Sequence, residues 1–187
     1  MADAKLGFSC TRMFVQGASL RYNPVEWLGQ GPSMKIKHLA EHPDAIPTLA
    51  AWVYDQWGHW MSPNTTPETL RREFSRRTVP GQIPETFVAV EDGEPLGTAS
   101  LVAHDLAERM DLSPWLAAVY VAPEFRNRGV GSALVQAVMD EALALGVEEL
   151  YLFTPDKMSF YGRLGWKVLE LREHHGTDVT VMVYEFD

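Results

Sequence analysis

Residues 114–123 read PWLAAVYVAP, an almost unbroken apolar run with a proline at each end. A strand without a polar side must be covered on both faces, so this stretch predicts a central strand with other layers packed above and below it. The run stops at Pro123, and EFRNRGVGSALV follows it. Val130, Leu134, Ala137, Val138 and Leu145 then recur at helical spacing, which predicts a helix from about Gly129 to Leu145, ended by Gly146. A buried strand joined by a glycine-bare turn to a buried helix is an α/β arrangement.

The rest of the chain reads around that unit. MKIKHLA, from Met34, alternates apolar and polar residues as a half-buried strand does. Ile46, Leu49, Ala50, Val53 and Trp57 mark a first helix, with Gly58 as its expected stop. Thr66, Pro67 and Glu68 supply an N-cap, a first-turn proline and a first-turn acid for a second. ETFVAVEDGEPLGTASLVAH predicts two strands joined at Asp92-Gly93, a pair suited to the positive φ angles of a tight hairpin. After the long helix come EELYLFT as a buried strand, KMSFYGRLG as a short helix, and the strands WKVLELRE and TVMVYEF. The predicted order is strand, two helices, three strands, helix, strand, helix, two strands. It implies a mixed sheet of six to seven strands, mostly antiparallel, with about four helices.

Composition narrows the function. The chain has 187 residues, 46% of them hydrophobic, enough for one domain with a sizeable core. A formal net charge of -9 opposes attraction to phosphate backbones, so nucleic acid is not the expected partner. No run of eighteen apolar residues is present, which argues against a membrane span. Cys10 is the only cysteine, so no intramolecular disulfide can form; a reducing cytoplasm is the expected home. Residues 1–33 end in the Gly/Pro-rich GQGPS and have neither a signal-peptide core nor the acid-free composition of a transit peptide, so they read as an appendage to a domain at 34–187. Of the six histidines, only His38 and His42 have i, i+4 spacing, and Pro43 breaks that helix; no metal site is expected.

The turn before the long helix carries the chemistry. A helix N-terminus exposes unpaired N–H groups and a partial positive charge, which together attract anions. Gly129 and Gly131 leave the approach open, and Arg126 and Arg128 can meet phosphate oxygens directly. Neither the G-x-G-x-x-G nor the G-K-[ST] phosphate motif is completed, since Leu134 stands where the third glycine would fall. The pattern strand-A-P-x-x-R-x-x-G-x-G-helix instead resembles the acetyl-CoA motif of the GCN5-related N-acetyltransferases, Q/R-x-x-G-x-G/A, on Arg126, Gly129 and Gly131. FYGRLGW, residues 160–166, resembles that family's second hallmark, F-Y-x-x-x-G-F, and lies one strand later as in the family. The likeness covers about Lys35 to Phe186.

That resemblance implies acetyl-CoA as co-substrate and no metal. Pantetheine would run beside the central strand along Val119, Tyr120 and Val121. The diphosphate would meet the segment Arg126, Asn127, Arg128, Gly129, Val130, Gly131 and Ser132. The fourth and fifth strands would splay at a bulge to admit the thioester. Many members carry an asparagine before the tyrosine motif; this chain has FTPDKMSFY, so Asp156 or Thr154 would contact the cofactor arm.

Acetyl transfer to an amine needs a neutral nucleophile, an oxyanion donor and a proton for the departing thiolate. The resemblance places the oxyanion donor at a backbone N–H around Tyr120 or Val121, a contribution of about 3 to 4 kcal/mol. Tyr161 occupies the family's acid position, and a phenol of pKa about 10 is close to a thiol at roughly 8.5. The base is left open between Glu108 and Asp111, acting directly or through water, with His104 a further option and a water relay another. Trp52 and Trp60 are the expected acceptor-pocket residues, Trp57 and Phe160 core, and His174-His175 a polar turn. The implied partner is an amine-bearing small molecule or peptide, and the chain is expected as a monomer or homodimer. The enzyme would act by direct attack in a ternary complex; the alternative is a non-catalytic module that senses acyl-CoA.

Overall fold

The computed structural model describes residues 34–186, so the expected appendage, with Cys10, lies outside the described residues. Seven strands and four α-helices follow in the predicted order: β1 (Lys35–His38), α1 (Ile46–Trp57), α2 (Pro67–Arg76), β2 (Glu85–Glu91), β3 (Glu94–Val102), β4 (Trp115–Val121), α3 (Val130–Ala144), β5 (Glu149–Thr154), α4 (Met158–Gly162), β6 (Lys167–His174) and β7 (Thr177–Glu185).

Local chemistry accounts for the boundaries. Asp92 and Gly93 take φ angles of 51° and 88°, the left-handed geometry of the β2–β3 turn. Thr66 caps α2: its hydroxyl accepts from the Thr69 amide at 3.2 Å while its own amide donates to Thr69 Oγ1 at 2.8 Å. Gly58 caps the end of α1 as expected. Its backbone stays right-handed, with φ -56°, and a 3-10 turn over Gly58–Trp60 follows the helix directly.

All seven strands form one sheet in the order β1-β2-β3-β4-β5-β7-β6, so β4 is central as its composition predicts. Every neighbouring pair is antiparallel except β4 and β5. Alternation along the strands sorts the core into two faces. Phe87, Ala89, Leu116, Leu150, Leu152 and Met182 pack with Leu134, Val135 and Val138 of α3. On the other face, Val88 and Val90 join Leu49, Val53, Leu70 and Phe74 of α1 and α2. A separate cluster holds Trp115, Ala117, Tyr151, Val181 and Val183 under Leu106 of the β3–β4 loop.

Two irregularities in β4 shape the middle of the sheet. Thr98 pairs with Tyr120 and Ser100 with Ala117, so Ala118 and Val119 together oppose the single residue Ala99. Ala118 adopts φ 51°, a conformation that L-residues avoid, and the strand bulges there. The ladder between β4 and β5 contains the single pair Trp115↔Tyr151. Beyond it the two strands part, and a cleft of about 1310 Å³ occupies the opening.

Candidate active site

β4 supplies the floor of this cleft through Ala117 to Val121, and β5 the opposite edge through Phe153 and Thr154. At one end lies the start of α3. Gly129 sits there with φ 81°, a value that a side chain would strain, and no side chain caps the helix. The N–H groups of the first turn therefore have no capping acceptor, and Arg126, Asn127, Gly129, Val130, Gly131 and Ser132 all line the opening.

The two arginines of this segment have different surroundings. Arg126 donates from Nε to the Val121 carbonyl at 2.9 Å and lies 5.9 Å from the centre of the Tyr120 ring. It folds back over the cleft floor and takes up a main-chain acceptor of β4. Arg128 instead reaches Glu91 of β2, with Nη2 at 2.9 and 3.0 Å from its two carboxylate oxygens, and lies outside the cleft lining. Unlike the expectation for it, its charge is already matched by a carboxylate.

Tyr161 reaches the cleft from α4. It is 8% exposed and packs edge-on against Phe160 and Trp166, while its hydroxyl has no hydrogen-bond partner among the described residues. Burial, followed by the charges of Asp156 and Asp105, pushes its phenol well above the ordinary value. It therefore stays protonated across the physiological range. Thr154 is buried and accepts from the Lys157 amide at 3.0 Å, while Asp156 is exposed and ion-paired to Lys157. Both border the cleft.

The β3–β4 loop separates its acids. Glu108 binds Nδ1 of His174 at 3.1 and 3.2 Å, and its own backbone amide, with His174 adding to the effect, holds its carboxyl below the usual range. Asp111 is clamped by Arg109 at 2.8 and 2.9 Å, which lowers its pKa. Neither Glu108 nor Asp111 lines the cleft. The acid that does is Asp105, which sequence reasoning passed over. Its side chain is exposed towards the cleft and has no hydrogen-bond or ion-pair partner among the described residues; the protein mass around it raises its carboxyl to about 6, with Arg77 countering in part. No letter pattern distinguishes Asp105 from Glu108 and Asp111; only the loop's course separates them.

The aromatic residues also trade places. Trp52 is absent from the cleft wall and stacks on Tyr120, ring centres 5.3 Å apart, so it supports the floor from behind. Trp57, expected in the core, is half-buried and borders the cleft with Trp60. Phe160, also expected in the core, is partly buried and borders it too. His174 is likewise not a solvated turn residue: it is 8% exposed and set edge-on to Trp60 and Phe153, while His175 and Gly176 make the turn at φ 49° and 76°. Among the described residues, no cluster of three or more metal-ligating side chains occurs, and no helix is long and apolar enough to cross a membrane.

A parallel pair that opens at a bulge, beside an uncapped helix start and a buried tyrosine, has the arrangement that the sequence resemblance implies, and comparison with known proteins makes the class explicit. The model of the Acetyltransferase (GNAT) family matches residues 47–166, and the chain belongs to that family. No curated protein sequence matches it. Solved structures share the fold at low identity. A ribosomal-protein-alanine N-acetyltransferase from Brucella melitensis is 21% identical, with 81% of this chain and 99% of that one covered and a TM-score of 0.66. A GCN5-related N-acetyltransferase from Kribbella flavida is 21% identical over 82% and 98%, at 0.65. The protein yncA from Salmonella typhimurium, solved with its cofactor acetyl-CoA, is 18% identical over 82% and 94%, at 0.64.

Proposed function

We propose that this chain is an acetyl-CoA-dependent N-acetyltransferase that moves an acetyl group to a primary amine by direct attack in a ternary complex. One observation carries the reading: a single cleft joins an uncapped helix start, the opening between β4 and β5, a protonated Tyr161 and an unpartnered Asp105. The residues present suit the co-substrate. The N–H groups at the start of α3 favour a diphosphate, and the bare Cα positions of Gly129 and Gly131 leave it room. The unpaired edge of β4 around Val119 offers main-chain groups to a pantetheine arm, since the Val121 carbonyl is taken by Arg126. Acetyl-CoA supplies the activated carbonyl.

The chain's own groups then divide the proton work. Asp105 takes a proton from the incoming ammonium, and the neutral nitrogen attacks the thioester carbon. A backbone N–H of β4 near Tyr120 or Val121 stabilises the oxyanion, at about 3 kcal/mol. As the carbon–sulfur bond breaks, Tyr161 gives its proton to the leaving thiolate, and the phenolate so formed takes up the second proton that the attacking nitrogen sheds as the amide forms. The products are an amide and free coenzyme A. Asp105 is preferred over Glu108 and Asp111 as base because their carboxylates are occupied outside the cleft lining.

Thiol release from acetyl-CoA across a panel of amines and peptides tests this. We expect release with at least one primary amine, and Tyr161→Phe should lower kcat by about tenfold or more with little change in KM. Unchanged turnover would remove Tyr161 from the chemistry. Tight acetyl-CoA binding with no acceptor turned over would favour an acyl-CoA sensor.

A further inference from the structure

The acceptor end of the cleft holds two opposite charges, each short of partners. Arg77 follows α2 and borders the cleft, its guanidinium 5.2 Å from the centre of the Phe74 ring. A guanidinium carries five N–H donors. Among the described residues only one long bond uses them, from Nη2 to Glu73 Oε2 at 3.4 Å, and Glu73 is itself largely exposed. Burial lowers the Arg77 pKa, while Glu73 and Asp105 favour its charge. Asp105, on the β3–β4 loop, has no hydrogen-bond or ion-pair partner among the described residues; it is close enough to feel Arg77 but forms no ion pair with it.

A cation and an anion that share a cleft without touching would ordinarily close on one another or turn to bulk water. Here no ion pair forms between them although both line one cleft and Asp105 is exposed to it, so their unused donors and acceptors are open to the same ligand. A ligand that satisfies both must carry a negative and a positive group in one molecule. An α-amino carboxylate has that arrangement: its planar carboxylate matches the guanidinium fork, and its ammonium lies one carbon away.

Resting on the acetyltransferase reading, we infer that the acceptor is a free α-amino acid whose carboxylate is held by Arg77 while its amine is presented to Asp105. Polyamines and lysine side chains carry no carboxylate beside the reacting nitrogen, and a peptide N-terminus has an amide there. Each would leave Arg77 short of an acceptor. Arg77 is thus the specificity residue, and the aromatic wall of Trp57, Trp60 and Phe153 faces the variable part of the acceptor.

The test compares matched acceptors on the wild-type protein: free amino acids, each beside its α-amide and its decarboxylated amine, with thiol release from acetyl-CoA as the readout. At least one amino acid should show kcat/KM tenfold or more above both of its carboxylate-free partners. Arg77→Gln should reduce that preference to within about twofold, chiefly through KM, with acetyl-CoA binding by calorimetry unchanged. Equal or faster turnover of the amides or amines by the wild-type protein would overturn the inference and leave the acetyltransferase reading standing. Preference for the amino acid that survives Arg77→Gln would also overturn it. No turnover of any acceptor would sink both. The wild-type comparison decides even if the variant does not fold.

Discussion

At the scale of single residues, what decides a role is which partner a side chain already has. Glu108, Asp111 and Asp105 belong to one loop and carry the same functional group, yet His174 holds the first and Arg109 the second. Asp105, without a hydrogen-bond or ion-pair partner among the described residues, has a carboxyl raised to about 6 by the protein mass around it. Below that value it is protonated and cannot accept a proton, so kcat/KM should rise with pH through about 6 in a full pH-rate profile, and Asp105→Asn should abolish that limb along with most of the activity. The stability effect has the opposite sign. A raised carboxyl pKa means that the folded state binds the proton more tightly than the unfolded chain, so the group's contribution to stability is lost as pH rises from about 4 through about 6. Asp105→Asn should therefore melt above wild type at pH 7, with the gap narrowing towards pH 4. A lower melting temperature at pH 7 would show the carboxylate to be stabilised by its surroundings.

Among the elements, the junctions govern more than the bodies. Gly97 of β3 faces Val121 of β4, and a Cβ placed there would lie 2.5 Å from the Tyr120 carbonyl oxygen. Gly97→Ala should cost about 2 kcal/mol in denaturant unfolding by forcing β3 from β4 at the cleft floor; an unchanged midpoint would mean that the strands separate freely. Much of the fold was legible because periodicity is a property of local sequence. The seven strands, four helices, Asp92-Gly93 turn and Thr66 cap all follow from spacing and turn chemistry. The bulge at Ala118 was legible only as a family expectation, and it changes the parity of β4. Leu116, Val119 and Val121 lean towards α3, while Tyr120 meets Trp52 and Trp57 on the other face. Simple alternation would have set Leu116 and Tyr120 on one face. For the same reason the places of Trp52 and Trp57 could not be read from helical spacing alone: they depend on where the ring of Tyr120 emerges. The start of α3 was readable from its glycines, whereas the pairing of Arg128 with Glu91 spans 37 positions and leaves no local mark.

For the molecule as a whole, the described residues hold three clusters of buried side chains. A chain beginning at Met34 should show a single cooperative melt and bind acetyl-CoA with the Kd of the full-length protein; a broad or absent transition would assign residues 1–33 a part in the fold. The single rung between β4 and β5 has a further consequence. One half of the sheet, β1 to β4, is stitched to the other, β5 to β7, by far less backbone than either half holds within itself. A guest lying along the open edge of β4 would serve as the missing strand, so recognition and mechanical integrity are coupled. Ligand-free protein should yield first along that seam, and an occupied cleft should close it.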